Sequence, residues 1–128
     1  MNTTPNSDSN DASPSNTDRP LAERRCVACE GLTAPMEASQ ARDLAGTLTD
    51  WVFNENASAI SRKINCKTFA KAVTRINQIA EIAETEQHHP DLHLTGYRHL
   101  EIVLTTHAIG GLSENDFIVA AKIDELLK

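Results

Sequence analysis

Every histidine of this 128-residue chain lies within one stretch of about twenty residues. The set comprises His88, His89, His93, His99 and His107. Imidazole titrates near neutral pH without strong perturbation, so clustered histidines suit proton transfer to and from a substrate. Imidazole is also a common metal ligand, so a metal site is the competing interpretation.

A long helix and a strand must position these side chains. Pro90 disfavours helical backbone at His89, so the helix is expected to end near His88. Glu84 lies four residues before His88, a spacing that predicts contact between the two side chains on one helix face. A strand running from Tyr97 ends at His107, whose side chain we expect to point away from the apolar core.

The spacing of possible ligands argues against a metal site. His88 and His89 are adjacent, and neighbouring side chains on a helix diverge by about 100°. A structural zinc site needs about four ligands, and Cys26-Val27-Ala28-Cys29 supplies only two. No second CxxC pair is present, so zinc binding, redox chemistry and no role at all remain open for Cys26 and Cys29.

The apolar pattern predicts an α+β domain in which helices pack on one face of a small antiparallel sheet. The predicted element order is α-β-β-α-β-α. Helices are expected over residues 36–48, 68–88 and 113–127, and strands over 51–53, 59–66 and 97–107. Residues 1–20 are predicted to be a disordered tail, residues 21–35 a linker with the CxxC pair, and residues 36–128 the folded domain.

Local sequence supports the three later elements. Thr68 is a candidate N-cap of the long helix. Its apolar residues recur every three or four positions and form a stripe along one face, which Ile79 and Ile82 widen. This stripe comprises Phe69, Val73, Ile76, Ala80 and Ala83. The last strand alternates, with Leu100, Ile102 and Leu104 on one face. Ser113 to Asp116 has the form of a capping box ahead of the final helix.

Composition excludes several classes of protein. The formal net charge is −6, which argues against a nucleic-acid partner, since phosphate binding requires concentrated positive charge. No apolar run approaches the roughly 20 residues of a membrane span. The chain has three cysteines and no apolar leader segment, which indicates a reducing, cytoplasmic compartment.

The spacing of the candidate residues resembles a known motif. Glu84-x-x-x-His88-His89-Pro90 is followed after six residues by Tyr97, after nine more by His107, and after eight more by Asp116. This pattern resembles that of the pterin-4a-carbinolamine dehydratases, and the resemblance covers roughly residues 44–127. One position departs from it: Leu92 stands where many members have tryptophan.

The resemblance implies a hydro-lyase that converts 4a-hydroxytetrahydropterin into quinonoid dihydropterin and water. It implies no metal or organic cofactor, a small pterin substrate, and assembly into homodimers or homotetramers. By resemblance, His88, His89 and His107 are catalytic. The remaining motif residues, Glu84, Pro90, Tyr97 and Asp116, are then expected to contact or position substrate.

Within that set we expect His89 and His107 to transfer protons at the 4a-hydroxyl and at N5, and His88, paired with Glu84, to position and tune them. His93 and His99 are interpreted as loop and strand-surface residues. The alternative function is a repurposed homologue that binds a pterin, or acts as a protein-interaction module like the dimerisation cofactors of this family.

Overall fold

A computed structural model describes residues 19–27 and 34–128 and shows one antiparallel sheet with helices against one face. Within these residues, helices α1, α2 and α3 span Ala38–Ala45, Phe69–Glu86 and Glu114–Leu127. Strands β1, β2, β3 and β4 span Val52–Phe53, Ile60–Asn65, Asp91–Thr95 and His99–Leu104. The predicted α+β class is confirmed, and each predicted element is present in the predicted order, although α1 is shorter than expected.

Strand β3 is an addition to the predicted elements. It contains His93, which we expected in a loop, and pairs with β4 along its whole length. Leu92 and Leu94 are half-buried against the core, whereas Asp91, His93 and Thr95 are exposed. The alternation is that of a strand with one buried face, but two apolar residues directly after a proline are a weak signal by themselves.

The sheet has the order β1-β2-β4-β3, and every neighbouring pair is antiparallel. Leu100, Ile102 and Leu104 of β4 are buried, as the alternation predicted. Ile60 of β2 lies opposite Leu104 and is buried with them, because residues paired across two strands share a face. This face, covered by the helices, forms the core.

Helix α2 begins as predicted, with the Thr68 hydroxyl accepting a hydrogen bond from the amide of Lys71 at 3.1 Å. Its buried face includes Ile79 and Ala83, which belong to the predicted apolar set. Phe69 and Val73 of the same set are instead 57% and 39% exposed. Helix α2 therefore buries one flank of a wide apolar stripe and leaves the other flank open to solvent.

The segment 19–27 lies against the start of α3. The side-chain amide of Asn115 is buried and mimics a paired strand: its Oδ1 accepts from the Val27 amide at 2.9 Å, and its Nδ2 donates to the Val27 carbonyl at 2.8 Å. The amide of Cys26 donates to Glu86 at the end of α2, at 2.9 Å. These bonds fasten the segment to both helix ends at once.

Burial and the neighbouring Glu86 carboxylate raise the pKa of the Cys26 thiol. Metal binding and thiol redox chemistry both require the thiolate, so this environment disfavours them at Cys26.

Cys29 and residues 1–18 of the predicted tail lie outside the described residues, and the predicted domain boundaries stay predictions. No helix in the described ranges is long and apolar enough to cross a membrane.

The buried face of α2 can be tested by two substitutions on that helix. Ile79→Ala is expected to lower the free energy of unfolding by about 2–5 kcal/mol, because the side chain is fully buried and the cavity refills only in part. Glu81→Ala, at an exposed position, should change it by less than about 0.5 kcal/mol. Urea unfolding followed by circular dichroism measures both, and equal losses would contradict the assigned face.

Candidate active site

The chain reverses direction between α2 and β3, and this turn separates the two adjacent histidines. Gln87 adopts a left-handed conformation, with φ of 56°, and ends the helix. The next residue, His88, turns inward, and only 5% of its side chain is exposed. The His89 side chain is 57% exposed, and the half-buried Pro90 leads into β3. One histidine therefore belongs to the interior and the other faces solvent.

His88 is held by a fully buried carboxylate. Its Nε2 lies 2.6 Å from Oδ1 of Asp116, in the first turn of α3. The second oxygen, Oδ2, accepts hydrogen bonds from the Thr106 hydroxyl at 2.8 Å and from the Ser113 amide at 2.9 Å. Because Oδ2 already accepts from two donors, Asp116 has the bonding pattern of a carboxylate, which can only accept, and the proton between the two side chains is therefore assigned to His88 Nε2.

The predicted pairing of Glu84 with His88 is wrong. Glu84 Oε2 lies 2.6 Å from Nε2 of His89, and both side chains are exposed. The helical spacing of four residues does not apply here because α2 ends at Glu86 and Gln87 diverts the chain. His88 consequently leaves the helix surface, and His89 returns over Glu84.

His107 directly follows Thr106 and begins a short 3₁₀ turn, His107–Ile109, rather than ending a strand. Gly110 closes this turn with φ of 67°, a conformation that favours glycine. The amide of Thr106 then donates to the carbonyl of Gly111 at 2.9 Å. The exposed His107 is thus presented on a tight loop whose two ends, Thr106 and Ser113, are both bonded to Asp116.

Asp116 therefore links the segments that carry the three candidate catalytic histidines. It bonds His88, the chain neighbour of His89, and Thr106, the chain neighbour of His107. The capping box predicted at Ser113 and Asp116 is also present, so one carboxylate both starts α3 and organises the site. Asp116 is fully buried, so its own side chain offers no surface to a ligand in this chain.

Thr106 is the contributor that sequence reasoning missed. A signal for it exists, because Thr106 continues the buried face of Leu100, Ile102 and Leu104 by the same period of two. A hydroxyl on an otherwise apolar strand face requires a hydrogen-bonding partner. Ser113 and Asp116 are those partners.

Three motif or cluster residues lie away from this group. Tyr97 is 56% exposed in the turn between β3 and β4, with the Arg98 guanidinium 5.4 Å from its ring centroid. The register places Thr95 opposite His99 at that turn, and Asp91 opposite Val103 at the other end. At the usual rise per strand residue these two ends are about 14 Å apart, so within one chain Tyr97 is not beside His89 or His107.

His93 and His99 project from the exposed face of the sheet, where they line a surface cavity with Lys63 and Glu101. His99 matches its predicted strand-surface position.

Within residues 19–27 and 34–128, no three His, Cys, Asp or Glu side chains are grouped so as to hold a metal ion.

Comparison with known proteins assigns the family. The family model described as pterin 4 alpha carbinolamine dehydratase matches residues 34–126. The chain belongs to that family. A protein of Halorhodospira halophila that provisionally bears the family name is 42% identical over 106 residues, which is 83% of this chain and 96% of that protein.

Two further relatives extend this comparison to plants and to solved structures. Pterin-4-alpha-carbinolamine dehydratase 2, mitochondrial, of Arabidopsis thaliana is 46% identical over 110 residues, covering 83% of this chain and 58% of that protein. A crystal structure titled transcriptional coactivator/pterin dehydratase, from Brucella melitensis, superposes with a TM-score of 0.68 at 26% identity. That match covers 73% of this chain and 99% of the other.

The pairs His88–Asp116 and His89–Glu84 can be compared directly by mutation, because the nitrogen–oxygen distance is 2.6 Å in both while their burial differs. Asp116→Ala is expected to lower the free energy of unfolding by about 3–5 kcal/mol, because it leaves buried donors without an acceptor. Glu84→Ala should cost no more than about 1 kcal/mol, because its pair is solvated. Denaturant unfolding measures both, and a small effect at Asp116 would show that the buried network does not hold the fold.

Proposed function

We propose that this protein is a hydro-lyase that converts 4a-hydroxytetrahydropterin into quinonoid dihydropterin and water, and so recycles the pterin cofactor of aromatic amino-acid hydroxylases. The observation that carries the proposal is the presentation of two exposed histidines, His89 and His107, on segments fastened to one buried carboxylate in a chain of the dehydratase family.

The reaction explains why two proton-transfer groups are needed. The C4a–O bond breaks as the N5 lone pair forms the C4a–N5 double bond. The departing hydroxyl takes a proton and leaves as water, and N5 loses its proton. One group must therefore give a proton and another must accept one near neutral pH, which imidazoles do without large perturbation.

In the proposal His89 and His107 perform these transfers, because both are exposed where a substrate can reach them. Glu84 accepts a hydrogen bond from the His89 ring and fixes its orientation. His88 is a positioning residue, since its side chain is buried and bonded to Asp116. Fixed geometry contributes to rate because it removes the entropy cost of aligning the reacting groups.

The other motif residues take supporting roles in this scheme. Pro90 directs the chain into β3 and so sets where His89 points. Asp116 acts through His88 rather than through substrate contact. Tyr97 lies at the opposite end of the sheet from His89 and His107. Within one chain it is therefore too far away to contact a substrate bound at those two histidines. The pterin-binding or protein-interaction module remains the alternative, and the names of the Halorhodospira halophila and Arabidopsis thaliana relatives do not favour it.

A homo-oligomer is part of the proposal. Helix α2 exposes Phe69, Val73 and Ala80 on one flank, at positions that continue as one apolar strip along the helix. A second copy of the same strip covers it symmetrically, as in most homodimers.

Cytoplasmic residence, expected from the cysteine count, also stays a prediction, and the Arabidopsis thaliana relative is named as mitochondrial.

The activity is tested by generating 4a-hydroxytetrahydropterin with a hydroxylase and following its ultraviolet decay. The wild-type protein is expected to accelerate decay above the spontaneous rate. His89→Ala and His107→Ala should each lower kcat by about 10²–10⁴-fold, the usual contribution of a general acid or base. His93→Ala, on the far face of the sheet, is the matched control and should leave kcat unchanged.

Two outcomes would count against this scheme. An unaccelerated decay with wild-type protein would remove the enzymatic proposal altogether. Full turnover in His107→Ala together with abolished turnover in His88→Ala would retain the activity but reverse the assigned roles.

Assembly is tested by placing charge on the apolar strip. Val73→Glu is expected to shift the protein towards monomer in sedimentation velocity, because a carboxylate buried between two copies lacks a partner. Thr85→Glu makes an acidic substitution on another exposed flank of α2 and should leave the assembly unchanged. A wild-type protein that sediments as a monomer would refute the proposed oligomer.

A further inference from the structure

A second cavity lies at the end of the domain opposite His88, His89 and His107. It has a volume of about 520 Å³ and is lined by Lys71 and Arg75 near the start of α2, by Leu127 in the last turn of α3, and by the end of β2. His88, by contrast, follows the other end of α2. At a rise of 1.5 Å per residue, Lys71 and Glu86 are about 22 Å apart, so the two regions are separate.

The sign of the charge in this cavity opposes that of the whole chain. Its lining includes four cationic side chains, Arg62, Lys67, Lys71 and Arg75, and none of the described residues that line it carries a carboxylate. The chain as a whole has a formal net charge of −6. A concave surface of one sign concentrates the potential and attracts counter-ions.

Three of these charges have no carboxylate within ion-pair distance in the part of the chain that the structure describes. Arg62 forms ion pairs with Asp124 and Asp50, so its charge is used within the fold. Among the described residues, the acceptors of Arg75 are neutral: Gln78 Oε1 at 3.2 Å and the carbonyl of Leu126 at 3.4 Å. Those bonds hold the half-buried guanidinium in place without neutralising it, which lowers the ordering cost of binding an anion.

Lys67 and Lys71 complete the uncompensated set. Among the described residues, neither ammonium is within ion-pair distance of a carboxylate. With Arg75 they supply about three positive charges around one concavity. A phosphate monoester, which carries nearly two negative charges at neutral pH, matches this better than a single carboxylate does. A guanidinium also offers phosphate two parallel donors.

Apolar side chains also line the cavity. Ile64, Cys66 and Leu127 contribute apolar surface. Small-molecule sites have volumes of about 300–1,000 Å³ and combine apolar walls with a few fixed polar groups. We propose that this cavity is a binding site for a small organic phosphate, with the phosphate on Lys67, Lys71 and Arg75 and an apolar body against Ile64 and Leu127.

The proposal is tested by titrating the full chain with phenyl phosphate at an ionic strength fixed with sodium chloride, and following backbone amide signals by NMR. Saturable shifts are expected at Cys66, Lys71 and Arg75. His88, at the opposite end, should shift little. Shifts that never saturate, or that spread evenly over the surface, would overturn the proposal.

Variants separate a built site from general attraction of anions. Lys71→Gln combined with Arg75→Gln is expected to weaken phenyl phosphate binding by about tenfold or more, since charged hydrogen bonds to phosphate are lost. Lys63→Gln removes a charge from the exposed sheet face and should leave the Kd within about twofold. Equal weakening by all variants would overturn the site. If the double variant fails to fold, Lys71→Gln alone, at an exposed position, decides the same question.

Two further probes test the ligand class. Phenylacetate keeps the ring but carries one carboxylate, and inorganic phosphate lacks the ring. Both are expected to bind more weakly than phenyl phosphate. Phenylacetate binding as tightly would overturn the assignment to phosphate, and inorganic phosphate binding as tightly would overturn the role of the apolar wall.

Discussion

The carboxylate of Asp116 is the group on which the candidate site depends. It is fully buried, and it accepts hydrogen bonds from a histidine after α2, a threonine after β4 and the amide that begins α3. A buried carboxylate is tolerated only when its oxygens are satisfied in this way. The three chain segments must therefore meet at one point, which places the loops that carry His89 and His107 next to the same support.

Two histidine–carboxylate pairs of equal length have different consequences because they differ in burial. His88 and Asp116 are withdrawn from water, so their interaction is strong and its loss is costly. Glu84 and His89 lie in water, which weakens their attraction and leaves the imidazole accessible. Burial therefore divides the histidine doublet into a supporting residue and an available one, and the division follows from one left-handed residue, Gln87.

The segment 19–27 reinforces the same region. Asn115, the neighbour of Asp116, satisfies both backbone groups of Val27, and Glu86, two residues before His88, accepts from the amide of Cys26. The backbone of this segment thus replaces water at the two helix ends that support the histidines. At the other end of α2 and α3 lies the open cavity with its excess of positive charge.

The sequence by itself determined the types and the order of the six predicted elements, because periodicity, caps and prolines act through neighbouring residues. It did not determine that α2 would leave Phe69 exposed, nor that β3 would pair with β4, since both depend on packing against distant segments. The partner of His88 was likewise decided only in three dimensions. Local spacing favoured Glu84, four residues away, but the helix ends too early for that geometry, and a carboxylate 28 residues further along the chain is buried beside it instead.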